Sequence, residues 1–220
     1  MKTRRRHCAV IILLVCGLAA ATSLRAADVK VLYTNDFEQA ALDSLPDGFR
    51  EAQGDFAVKQ SGGNKVLEAP SSPADQYFVL FGPVTNSGVV VTARVSGTSK
   101  GRRMPSFGIG LNGGAGFRLV ASPAKGNLEI YKGDTSMATA PLEWKTGSWT
   151  LMRLRVRAEG GQKWKIDGKA WVEGLPEPKD WMIATEDTTE PPAGRASLWA
   201  TPYSGTPLWF DDVSVTTSED

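Results

Sequence analysis

Tryptophan rings and carboxylates are the side chains in this 220-residue sequence best placed to do chemistry. Its seven Trp all lie in the second half, at Trp144, Trp149, Trp164, Trp171, Trp181, Trp199 and Trp209. An exposed indole offers a flat apolar face on which a sugar stacks, although most Trp in a β protein are core. Trp149, Trp164 and Trp209 sit in runs that read as buried. Trp171 and Trp181 flank a Pro-rich segment, and Trp199 shares strand parity with Ser197. Together with Tyr203 they form the candidate ligand-binding set.

The acids point to a different chemistry. Asp36 and Glu38 share parity near the start of the domain, and Asp211 and Asp212 lie near its end. If the first and last strands are neighbours, several hard oxygens converge, as structural calcium requires. The commoner use of such an Asp-Asp pair is to cap a bulge and accept local backbone N–H groups. No other cofactor is expected. Arg153, Arg155 and Arg157 form a basic stripe on one strand face, whose usual partners are acids on the next strand.

Catalysis is narrowed by what the folded region lacks. His7, the sole His, and both cysteines, Cys8 and Cys16, fall within residues 1–27. Those residues read as a signal peptide: a basic start (Lys2, Arg4, Arg5, Arg6), an apolar run from Ala9 to Ala21, and small residues before Ala27. The apolar run is too short for a stable transmembrane segment. An exported protein, periplasmic or extracellular, is expected, and lipid attachment at Cys16 fits less well because Val15 precedes it. Cleavage then leaves no triad of Ser, His and Asp, no thiol nucleophile, no His-bearing zinc site and no disulfide. A hydrolase using two carboxylates is the catalytic class the inventory still permits. No motif selects a pair of acids, so the chain reads as non-enzymatic.

The leader carries five of the 25 Lys+Arg and none of the 24 Asp+Glu, so its removal turns a net charge of +1 into −4. Nucleic-acid binding is not expected of such a domain.

The elements that must position these residues are strands. Val89, Val91, Ala93 and Val95 alternate with Val90, Thr92 and Arg94, and Met152, Leu154 and Val156 alternate with the arginine stripe. Strands are expected near 31–37, 55–60, 65–69, 77–82, 87–95, 105–111, 116–121, 127–131, 149–157, 163–167, 169–172, 195–200 and 207–216. Asp167-Gly168 predicts a tight hairpin turn between two of them. Residues 38–45 have the pattern of a short helix, and 174–194, with four prolines and the acidic Glu186–Glu190 stretch, read as a long loop. The expected architecture is one all-β, two-sheet antiparallel sandwich over 28–220.

Three stretches carry a family likeness: Tyr33–Glu38 with Leu45–Phe49 and Gly54–Val58, then Gly147–Val156, then Leu208–Val215. They resemble the concanavalin A-like lectin/glucanase superfamily, a jelly-roll group with laminin-G-like modules, as found in secreted bacterial proteins. The resemblance implies that the last strand returns beside the first. The superfamily's family 16 glycoside hydrolases carry Glu-x-Asp-x-x-Glu, but Glu186-Asp187-Thr188-Thr189-Glu190 has the wrong spacing and reads as a solvated acidic loop. The functional expectation is an exported, non-catalytic module that binds carbohydrate, such as a cell-envelope glycan, through exposed aromatics. The alternatives are a glycoside hydrolase-like enzyme with two carboxylates, or a structural cell-envelope interaction protein.

Overall fold

The computed structural model describes residues 29–71 and 76–218. The expected signal peptide, 1–27, lies outside the described residues, as do His7, Cys8 and Cys16. In chain order the strands are β1 (Val31–Asn35), β2 (Arg50–Gln53), β3 (Ala57–Ser61), β4 (Asn64–Ala69), β5 (Tyr77–Thr85), β6 (Val89–Gly97), β7 (Ser106–Leu111) and β8 (Phe117–Ser122). There follow β9 (Asn127–Lys132), β10 (Thr135–Pro141), β11 (Trp149–Gly160), β12 (Lys163–Val172), β13 (Ile183–Asp187), β14 (Gly194–Thr201) and β15 (Leu208–Thr217).

These strands form two antiparallel sheets packed face to face. The first runs β13-β12-β11-β6-β15-β4-β3, and the second β10-β9-β8-β7-β14-β5-β2. One edge of β15 pairs with β6; the other is shared by β4 at Leu208–Phe210 and β1 at Val213–Thr216. First and last strands are therefore neighbours, as the family resemblance implies.

The period-two pattern explains the layers. Met152, Leu154 and Val156 of β11 and Val91, Ala93 and Val95 of β6 turn inward and are buried. They meet Phe107, Ile109 and Leu111 of β7 and Phe117, Leu119 and Ala121 of β8, which face them from the second sheet. One strand needs an irregularity to keep this register. In β15, Phe210 is buried before a bulge at Asp211–Ser214, and Val213 and Val215 are buried after it. The extra residue is Asp212, at φ 48°, which restores the inward parity that a regular strand would have lost.

Several local expectations need correction. Asp167 and Gly168 are not a turn but lie buried in the middle of β12. The Asp167 carboxylate accepts from Arg155 on β11 at 2.7 Å, and a Cβ on Gly168 would meet the Leu119 side chain at 2.4 Å. Cross-strand pairing and a close approach from the opposite sheet decide this dipeptide, and the reversal falls instead at Gly161–Gln162, between the paired Gly160 and Lys163. β2, β10 and β13 were not expected. β13 lies within the supposed long loop, as an edge strand ahead of Pro191. Residues 38–45 form successive turns rather than a helix. Among the described residues, no helix is long and apolar enough to cross a membrane.

Candidate functional site

A cleft opens where β12 outruns its neighbour. β13 pairs with Trp164–Gly168 and then ends, so Lys169–Val172 has no strand on that edge. The Ala170 N–H is left with the Met182 sulfur, at 3.4 Å, a weak acceptor. Residues 173–182 bow away from the sheet, while 141–145 leave β10 on the other sheet. The space between is about 820 Å³, lined by Trp144, Trp171, Leu175 and Met182, with Glu143, Lys145 and Glu173 among its polar groups. Leu175 is 62% exposed and Met182 36%, an unusual pair of large apolar side chains on a polar loop.

The bowed segment is pinned rather than loose. Lys169 Nζ donates to the Pro178 carbonyl at 2.8 Å and pairs with Glu177 at 2.7 Å. Arg153 holds the same Glu177 carboxylate at 2.7 Å. Trp181 lies beneath two cations, with the Arg155 guanidinium carbon 4.6 Å and Lys169 Nζ 4.9 Å from its ring. Such anchoring sets the cleft wall in place before any ligand arrives, which lowers the entropy cost of binding. On the opposite wall, half-buried Trp144 packs against core Phe107, ring centroids 6.4 Å apart. Its indole N–H is buried with no acceptor among the described residues.

The residues singled out from sequence scatter across the molecule. Trp171 lies in the cleft. Trp181 borders a small polar hollow of about 190 Å³ on the outer face of the first sheet. Trp199 is 6% exposed on the outer face of the second sheet, stacked on Phe78 at 4.3 Å and donating to Ser197 at 2.8 Å. Tyr203 is exposed in the β14–β15 loop.

The four acids have protein partners. Asp36 accepts the Glu38 N–H at 3.2 Å, and Glu38 accepts the Lys65 N–H at 2.8 Å. Arg94 binds Asp211 at 2.6 Å and Asp212 at 2.9 Å, and the Asp212 N–H bonds the Asp211 carboxylate at 2.8 Å. This is the bulge-capping arrangement. Among the described residues, no three His, Cys, Asp or Glu side chains gather as a metal site. Of the arginine stripe, Arg155 pairs across the strands with Asp167, while Arg153 reaches into the bowed segment.

Trp144, Leu175 and Met182 were not found from sequence. A leucine between Gly174 and Pro176 in a polar segment was the available signal.

No protein-family model matches the sequence, and no curated protein matches it significantly. Solved structures do match the fold. A carbohydrate-binding module, CBM66 from Bacillus subtilis, is 12% identical over 78% of this chain and 96% of its own, with a TM-score of 0.54. A Bacillus subtilis protein of unknown function with a galectin-like fold is 15% identical over 86% and 98%, also at 0.54. The fold is a concanavalin A-like jelly roll. It also matches the catalytic domain of a glycoside hydrolase family 131 protein from Coprinopsis cinerea, 8% identical over 87% and 98% at 0.54. This jelly roll thus occurs in proteins that bind carbohydrate and in proteins that cleave it, and at such identities the likeness concerns the fold alone.

Proposed function

We propose that this chain is an exported, non-catalytic carbohydrate-binding module that holds a saccharide between Trp144 and Trp171. The carrying observation is the cleft at the β12 edge, about 820 Å³, whose lining includes two indoles. Its volume lies in the range of about 300–1,000 Å³ common for small-ligand sites. Indole faces stack on the C–H face of a sugar ring, while Glu143, Lys145 and Glu173 supply groups for its hydroxyls. The jelly roll shared with a carbohydrate-binding module supports this reading. Export, to the periplasm or the cell exterior, rests on the leader sequence at 1–27.

Glycan-array binding followed by titration tests the proposal. Trp144→Ala and Trp171→Ala are each expected to weaken binding by about 1–3 kcal/mol, the range for losing a buried aromatic contact. Tyr203→Ala, outside the cleft lining, leaves it unchanged. Silence across the array rejects the reading, and binding retained by both Trp variants moves the site elsewhere.

One observation favours a second reading. Glu143 and Glu173 both line the cleft, so two carboxylates are available for glycosidic hydrolysis. Glu173 is engaged by Arg94 at 2.8 Å, which suits a structural carboxylate better than a proton donor. Release of reducing ends by the native protein, abolished by Glu143→Gln and Glu173→Gln, would establish the enzyme.

A further inference from the structure

A second site lies on the outer face of the second sheet, where β7 presents Gly108 and Gly110. Neither has room for a side chain: a Cβ on Gly108 would lie 2.4 Å from the Leu119 carbonyl oxygen, and one on Gly110 2.5 Å from Ser197 Oγ. This bare stretch lets Arg118 of β8 reach across to Trp199 of β14, its guanidinium carbon 4.3 Å from the indole centroid. Tyr131 of β9 stands 5.4 Å away. Planar groups thus hold the guanidinium in one orientation, and only 7% of the side chain is exposed.

The charge of Arg118 is thinly met. Arg94 on the other sheet has three carboxylates within 2.9 Å. Arg118 has Asp134 at 3.4 Å, a carboxylate fully exposed to water, and the Gly133 carbonyl. Its Nε is buried with no acceptor among the described residues. Burial holds its pKa below the ordinary guanidinium value despite the opposing pull of Asp134. The nearby Glu129 carboxylate is already occupied by Ser122 and Lys125. A nearly buried guanidinium whose charge is met by one distant, exposed carboxylate is a costly arrangement that a ligand carboxylate in the adjoining hollow would offset.

Beside this group is a hollow of about 290 Å³, lined by Gln76, Ser106, Thr201, Lys125 and Tyr131. It lies just under the usual range of about 300–1,000 Å³ for ligand sites, room for one sugar ring rather than a chain. We propose that the hollow binds a single acidic sugar residue, a uronate, whose carboxylate meets Arg118 while its ring hydroxyls bond Gln76, Ser106 and Thr201. The site is on the opposite sheet from Trp171 and does not depend on the cleft.

Calorimetric titration of the purified protein with galacturonate, galactose and inorganic phosphate tests this. Galacturonate binds, and galactose and phosphate each bind weaker by roughly tenfold or more, the weight of one charge-assisted hydrogen bond. Arg118→Gln and Arg118→Lys each weaken galacturonate by roughly tenfold or more, since a lysine keeps the charge but loses the planar fork. Trp171→Ala leaves galacturonate binding intact. Absence of galacturonate binding, or galactose binding equally well, overturns the proposal. Phosphate binding as tightly as galacturonate shows a bare anion site and also overturns it. If Arg118→Gln fails to fold, Arg118→Lys decides, and undiminished binding by that variant rejects the role of Arg118.

Discussion

At the scale of single residues, Lys169 ties the cleft wall to the sheet. Its side chain is 8% exposed on the outer face of β12, where an unpaired ammonium would be costly. Glu177 and the Pro178 carbonyl meet that charge, and both belong to the bowed segment 173–182. Lys169→Met retains the apolar stem beneath Trp181 and deletes the two polar contacts. A loss of about 1–3 kcal/mol is expected from the hydrogen bonds to a charged donor. The diagnostic readout is local: amide exchange over 173–182 should quicken while the core strands keep their protection. Unchanged exchange there would show that Trp181 packing alone fixes the segment. None of this was legible beforehand, because Lys169 reads as an ordinary surface lysine until the chain beyond β12 folds back over it. Trp171 was legible as an aromatic beside a Pro-rich stretch. Trp144 was not, since its place in the cleft lining comes from residues 141–145 running beside the end of β12, far away in sequence.

At the scale of elements, β12 shows how tertiary contacts override a local signal. Asp-Gly favours a turn when only neighbouring backbone is considered. Here Asp167 is drawn to Arg155 across the sheet, and Gly168 provides clearance for Leu119 of the opposite sheet. Gly168→Ala should therefore destabilise by overpacking, about 1–3 kcal/mol, since its Cβ would lie 2.4 Å from Leu119 and 3.0 Å from Ile183. Gly63→Ala, in a turn with nothing within 4 Å, is the matched control, expected within about 0.5 kcal/mol of native. Urea unfolding of both variants checks the pair, and equal midpoints would contradict the packing account. Strands whose two faces differ, such as β6 and β11, were readable from alternation. β2 is exposed at every residue, and the β10 edge strand mixes half-buried and exposed positions without strict alternation, so neither carried such a pattern. Arg118 had a faint signal, a charge within the apolar run of β8, but its setting depends on glycines one strand away and an indole two strands away.

At the scale of the whole molecule, the sandwich is fastened at the same edge where the cleft opens. Asp187 on β13 of the first sheet pairs with Lys132 on β9 of the second, and its carboxylate also accepts the Thr189 N–H at 2.9 Å. Burial alone would raise the Asp187 carboxyl, but the bonds from Lys132 and Thr189 hold it below its ordinary 3.8. Burial would likewise raise Glu129 on β9, while Ser122 and Lys125 hold it below 4.5. For both groups the unfolded chain binds protons more readily than the folded one, so folding is favoured above the ordinary carboxyl pKa. That stability is fully present above about pH 5 and falls away as the pH drops through each folded-state pKa. Asp187→Asn should therefore be less stable than native at neutral pH and show a shallower loss of stability on acidification. Because Asp187 joins the sheets while Glu129 acts within one, Asp187→Asn should also speed amide exchange across β13, and Glu129→Gln should flatten the acid limb without that local effect. Denaturant unfolding from pH 7 to pH 3 with residue-resolved exchange distinguishes them. Parallel native and Asp187→Asn acid limbs would mean that the inter-sheet pair adds nothing to the closure of this edge.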